Sequence, residues 1–167
     1  PTLLGDAATE SVVRQQLPQA WLAHFASHGL LDFGTPDLLE DEVPGAIVLS
    51  EDGNHNGLLT AAEILNLQLQ TDLVVLSACD TGLGRISGDG VNGLARSFLL
   101  AGASNVIVSL WSVPDAPTAE LMTEFYRQWQ QNGLDKAQAL RQAMLTTLKT
   151  HPDPKDWAAF TLVGSSR

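Results

Sequence analysis

The residue best suited to covalent chemistry is Cys79, the only cysteine in the chain. It follows the apolar run Leu73-Val74-Val75-Leu76 and sits among Ser77, Ala78, Asp80, Thr81 and Gly82. A short, β-branched apolar run of this kind predicts a strand buried on both faces of a parallel sheet. Open α/β sheets place their ligands beyond the carboxyl ends of such strands. A thiol there, among small neighbours that leave space above it, is a nucleophile candidate; the plain alternative is a buried structural cysteine. A second stretch, WLAHFASHG from Trp21 to Gly29, reads as an apolar strand that ends in His28-Gly29. An imidazole near the thiol, with a helix starting soon after it, would supply thiolate near neutral pH. His28 could also protonate a leaving amine and take the proton of the thiol or of water. His24 lies an even offset earlier on the same strand, in mid-strand, and is expected to be a hydrogen-bonded core residue.

A lone cysteine with a histidine about 50 residues upstream, each closing a strand, is the arrangement of caspases. The segments HFASHG, LTAAEILNLQLQTDLVVLSACDTGLG and GVNGLARSFLLAGASNVIVSLWSV make the likeness specific. From about Leu3 to Gly164 the chain resembles a CHAT domain, the bacterial branch of the caspase, separase and gingipain group of cysteine peptidases. Such domains are often attached to tetratricopeptide repeats. The resemblance implies a three-layer, caspase-like α/β fold with a mostly parallel sheet, here lacking the first strand and helix of the family domain. It also implies a cysteine endopeptidase with Cys79 as nucleophile, His28 as its partner, and an oxyanion hole formed by the Gly29 and Cys79 N–H groups. The segment LWSVPD, ending at Asp115, occupies the place where caspase-like folds build the pocket for the residue before the cut. Asp115 or Asp80 there would select Arg or Lys by a charge-assisted pair, with Trp111 as a wall. Each has a plainer reading: Asp115 as a helix-cap aspartate, Asp80 as a binder of loop amides, Trp111 as a core residue. The rival function is a non-catalytic signalling or protein-interaction module that keeps the fold.

The 167 residues suffice for one domain with a sizeable core, and 44% hydrophobic content fits a globular α/β protein. The chain opens on Pro1 without a methionine, so residues 1–167 are expected to be a single domain at the C-terminal end of a longer protein. A net charge of −10 disfavours nucleic acid and anionic membranes as partners. A protein or peptide substrate, and repeat domains in the same full-length chain, are the expected partners. One cysteine excludes an internal disulfide and fits a reducing, cytoplasmic setting.

Around these residues the pattern predicts alternating strands and helices, hence right-handed crossovers. Asp6 is expected to cap a helix that Pro18 stops after Leu17, and Trp21 to Ser27 to form the first core strand. Leu30 to Pro44 reads as a loop. Ala46 to Leu49 and Gly57 to Leu59 read as short strands about a polar turn, Glu51 to Asn56. Thr60 and Glu63 form a capping box for a helix over Ala61 to Leu65. After the Cys79 strand come a glycine-rich loop, Gly82 to Gly90, and a helix, Asn92 to Leu100, closed by Gly102. Then follow a strand, Val106 to Leu110, a loop, Trp111 to Pro117, helices over Thr118 to Gln131 and Leu134 to Lys149, and a last strand, Ala158 to Val163.

Two further patterns compete for a function. Asp52, Asn54, Asn56, Gly57 and Glu63 fill the calcium-loop template D-x-[DN]-x-[DN]-G-x5-E. Calcium is therefore a possible ligand, against the simpler reading that Asp, Asn and Gly favour turns for backbone reasons. The run GDGVNGLA lacks the lysine of a phosphate loop, and no nucleotide is expected. His55, in the polar turn, and His151, beside Pro152, are expected on the solvated surface. No catalytic cofactor or metal is required.

Overall fold

The structure is a computed structural model. It describes residues 1–30, 45–77 and 88–165, with the backbone alone for 88–92. Four strands make the main sheet: β1 (Leu22–Phe25), β5 (Leu73–Leu76), β6 (Asn105–Ser109) and β7 (Phe160–Gly164), in that order. β1, β5 and β6 are parallel, and β7 runs antiparallel to β6. A smaller antiparallel sheet joins β2 (Gly29–Leu30), β3 (Ala46–Val48) and β4 (Leu58–Thr60).

Successive side chains of a strand face opposite ways, and both faces of β5 and of the middle of β6, Val106 to Val108, are apolar; Asn105 and Ser109 at the ends of β6 are buried polar residues. Val74, Leu76, Val106 and Val108 face α1 (Glu10–Gln16), α2 (Ala61–Leu65) and α3 (Gly88–Ala101), packing with Val13, Ile64, Leu94 and Phe98. Leu73, Val75 and Ile107 face α4 (Asp115–Tyr126) and α5 (Lys136–Thr150), packing with Leu121, Phe125, Leu140 and Ala143. The result is the three-layer α/β arrangement with a mostly parallel sheet. Thr60 and Glu63 close the expected capping box on α2. Arg14 reaches both Glu10 (3.2 Å) and Glu63 (2.9 Å), which ties α1 to α2.

Several elements differ from the sequence reading. Thr9, not Asp6, caps α1, because Gly5–Ala7 turns as a 3-10 helix before it. β1 is an edge strand, not a core strand, and Trp21 before it is 57% exposed. Trp21 is instead stacked on Trp129, with ring centroids 5.1 Å apart. Gly29–Leu30 is a strand where a loop was expected from Leu30, and α3 begins at Gly88 rather than Asn92. α4 begins at Asp115, three residues earlier than predicted, and runs through Pro117. Proline there is harmless because first-turn N–H groups have no partner within the helix.

Gly102 ends α3 with φ of +117°, and a Cβ at that position would run into the Leu69 carbonyl oxygen. Gly102→Ala should therefore cost at least about 2 kcal/mol. In a thermal melt this appears as a Tm lower by roughly 5 °C or more; an unchanged Tm would contradict the packing of α3 onto the Leu69 segment.

Candidate active site

The two strands read as carriers of the dyad are neighbours. Phe25 is the register partner of Leu76, and the Ser77 N–H donates to the Phe25 carbonyl at 3.1 Å. Because β1 and β5 are parallel, their carboxyl ends lie at one edge of the sheet. His28 comes three positions after Phe25 in the chain, and Cys79 two positions after Ser77. Cys79 and Asp80 lie outside the described residues.

His28 is exposed, and its backbone is fastened from behind: its carbonyl accepts the Val48 N–H at 2.8 Å. That bond makes His28 and Val48 a hydrogen-bonded pair of the antiparallel ladder, so Gly29 and Ile47, the next pair, are a non-hydrogen-bonded one. The Gly29 N–H therefore points away from β3 and takes no part in the ladder, as an oxyanion donor must. Strand geometry ends at Phe25, so the expectation that alternation puts His24 and His28 on one face does not carry beyond β1.

His24 stands on the exposed edge strand, not in the core, yet both its ring nitrogens are engaged. Nε2 lies 2.6 Å from Ser77 Oγ, and Nδ1 lies 2.9 Å from the Tyr126 hydroxyl at the end of α4. Crowding by protein atoms pushes the imidazole pKa below its ordinary value and the Tyr126 phenol above its own. Tyr126 is the neighbour that sequence reasoning missed. Its partner lies on another element of the fold, and no local pattern carries such a pairing.

β6 is parallel to β5, so the segment after Ser109 leaves at the same edge. Asp115 is the first residue of α4 and exposed, while Pro114 holds the cap position. Among the described residues no hydrogen bond to its carboxylate is found, which removes the helix-cap reading. Trp111 is half-buried against the α4–α5 side of the core, and its Nε1–H donates to the Lys155 carbonyl at 3.0 Å. It is a packed, anchored residue.

The side-chain oxygens of Asp52, Asn56 and Glu63 accept hydrogen bonds from neighbouring groups of the chain. Asp52 Oδ1 accepts the N–H groups of Asn54 (3.0 Å) and His55 (3.1 Å), and Oδ2 accepts that of Ser11 (3.0 Å). Asn56 Oδ1 accepts the Leu58 N–H. Glu63 gives one oxygen to Thr60 and the other to Arg14. His55 is half-buried beside Ser11 Oγ (2.8 Å), and His151 is half-buried beside Glu120 (3.2 Å). Neither is the freely solvated surface residue expected, because each turn brings an acceptor to its ring.

A mostly parallel sheet between two helical layers, with a histidine three residues beyond the end of β1, is the arrangement of a caspase-like α/β domain. The model of the CHAT domain family matches residues 1–165, and the chain belongs to that family. It is 33% identical over 196 aligned positions to tetratricopeptide repeat protein 28 of Mus musculus, and equally to that of Homo sapiens. Each alignment takes in 98% of this chain and 8% of the relative, so the chain spans a small part of those proteins' length. Both relatives are mammalian, so family membership brings no bacterial assignment with it. Among the described residues no helix is long and apolar enough to cross a membrane.

The hydrogen bonds from Asn54 and Ser11 hold the Asp52 carboxyl well below the usual carboxylate range. A carboxylate whose folded pKa is depressed stabilises the fold above its unfolded value, about 3.9, and that contribution disappears as pH falls. Asp52→Asn should therefore lower Tm at pH 7, and the gap to the parent should narrow on acidification below pH 4. Millimolar calcium should leave the parent Tm unchanged, because calcium would have to displace these donors. A calcium-dependent rise that Asp52→Ala abolishes would restore the calcium-loop reading.

Proposed function

We propose that this domain is a cysteine endopeptidase that works through Cys79 and His28. The observation that supports the reading is the adjacency of β1 and β5, the two strands that precede His28 and Cys79 in the sequence of a CHAT-family domain. In this mechanism the Cys79 thiolate attacks a peptide carbonyl carbon, and the oxygen takes the negative charge in the hole made by the Gly29 and Cys79 N–H groups. One such donor contributes about 3 kcal/mol to lowering the barrier. The C–N bond then breaks, His28 gives its proton to the departing amine, and a thioester remains. Water attacks the thioester, His28 takes its proton, and the C–S bond breaks to release the acid and regenerate the thiolate.

The residue before the cut is proposed to be Arg or Lys. Asp115, exposed at the same sheet edge and uncommitted as a cap, supplies the matching charge, with Asp80 as its rival for the role. A reducing compartment such as the cytoplasm suits the free thiol. Repeat domains in the same full-length chain are the proposed partners, in line with the tetratricopeptide-repeat names of the two relatives.

Acyloxymethyl ketones carrying Arg, Lys or Asp beside the warhead, read by intact mass, test the reading. One adduct on Cys79 with the basic probes is expected, at least about a hundredfold slower in His28→Ala. No adduct from any of them, while iodoacetamide still modifies Cys79, would favour the non-catalytic module. Asp115→Ala should cut the preference for Arg over Asp probes by roughly tenfold, the worth of a hydrogen bond to a charged group; an unchanged ratio would remove Asp115 from the pocket.

A further inference from the structure

His24 joins two elements of the fold through both of its ring nitrogens. The buried Ser77 hydroxyl lies 2.6 Å from His24 Nε2 and makes a long contact, 3.5 Å, with the Phe25 carbonyl. Nδ1 lies 2.9 Å from the Tyr126 hydroxyl. Each hydroxyl can donate to the ring or accept from it, so either neutral tautomer completes both bonds. The chain of contacts runs from Tyr126 on α4, through His24 on β1, to Ser77 after β5.

We propose that His24, held by Tyr126 and Ser77, is a positioning residue that sets the spacing of the strand ends leading to His28 and Cys79. The inference rests on the Cys79–His28 reading above. Phe25 and Ser77 are the last described residues that join the two strands, and His24 links both of them to a helix on one side of the sheet. β1 needs such a link: it is half exposed, whereas β5 and β6 are buried along their whole length. Tyr126 is the titratable group that meets the ring from α4; from β5 the register partner Val75 and the neighbouring Ser77 carry no charge. Desolvation lowers the imidazole pKa and raises that of the phenol, which keeps both groups neutral near pH 7. A merely space-filling histidine would leave the reactivity of a thiol on another strand untouched, and this separates the two roles.

The test uses the chain with Tyr126→Phe, Ser77→Ala, His24→Ala, His24→Gln and His28→Ala, and combines two readouts with a melting curve. Long-range ¹⁵N–¹H spectra should show His24 as a neutral ring in the parent from pH 7 to 8, with its ring nitrogen shifts displaced in Tyr126→Phe and in Ser77→Ala. The rate of Cys79 alkylation by iodoacetamide, followed against pH, should fall roughly tenfold at pH 6 in Tyr126→Phe, Ser77→Ala and His24→Ala. It should return to the parental rate at pH 9, where the thiol is ionised without help. His24→Gln keeps a donor for Ser77 and should recover most of the low-pH rate, so a general loss of folding is distinguishable from lost positioning. Parental alkylation profiles in Tyr126→Phe, Ser77→Ala and His24→Ala, with His28→Ala still losing the low-pH rate, would overturn the positioning role and leave the dyad standing. Unchanged His24 ring shifts in both Tyr126→Phe and Ser77→Ala would overturn it as well. A parental profile in His28→Ala would overturn the dyad itself, and the positioning role with it.

Discussion

The parallel pairing of β1 with β5 is the constraint on which the site depends. Main-chain hydrogen bonds fix Phe25 beside Leu76, and the Ser77 N–H extends the ladder by one more bond to Phe25. From that point the two chains part: β1 leads to His28 and the small antiparallel sheet, and β5 leads toward Cys79. Antiparallel neighbours would put their carboxyl ends at opposite edges, so parallel pairing is what lets adjacent strands bring two functional groups to one place. The small sheet then grips the His28 carbonyl through Val48 and turns the Gly29 N–H away from its ladder. Backbone geometry, not side-chain chemistry, sets the stage here.

The two strands are held by different means. β5 is buried at all of its positions, with Val74 and Leu76 on one side and Leu73 and Val75 on the other. Complete burial in a close-packed interior leaves such a strand little freedom. Among the described residues β1 has no neighbour on its other side, and polar and aromatic contacts from α4 and the helical segment Arg127–Gln131 make up the difference. Trp21 stacks on Trp129, Phe125 packs edge-on to Tyr126, and Tyr126 reaches His24. Lys136 pairs with Asp72 at 3.0 Å, just before β5, and lies over the Trp129 ring. One layer of helix thus supports both strands, and a disturbance of α4 would be felt at the site through β1 first.

The sequence carried the parts of this arrangement that local chemistry decides. The run Leu73 to Leu76 could hardly be anything other than a central strand, and Thr60 with Glu63 announces the start of α2. Family resemblance supplied the order of the layers and pointed to His28. The misreadings fall where a residue's surroundings outweigh its type. WLAHF is apolar enough for a core strand, but β1 lies at the edge of the sheet, and its tryptophan finds another aromatic ring instead of the interior. Trp111 to Pro117 reads as a loop, yet α4 already begins at Asp115, because a proline in the first turn removes no helical bond. The Asp52 to Glu63 segment, which has the composition of a calcium loop, is a different case: its oxygens meet N–H groups of its own turn, of Ser11 and of Thr60, and the guanidinium of Arg14, and calcium would compete with these donors. His24 looked like a satisfied core residue; it is satisfied, but by Tyr126 and Ser77, and no periodicity in the chain foretells that pairing.

The most direct test of the central claim is whether the two residues can be joined. Cys79 is the only thiol, so the short bifunctional alkylator 1,3-dibromoacetone should react there first and leave its second arm for whatever nucleophile lies within reach. Peptide mapping by tandem mass spectrometry reads the second attachment point. One internal bridge from Cys79 to the His28 ring is predicted, formed rapidly in the folded chain and not formed when the chain is unfolded in urea before the reagent is added. Attachment of Cys79 alone, with the second arm hydrolysed or scattered over other residues, would contradict the claim that β1 and β5 deliver these two side chains to one site.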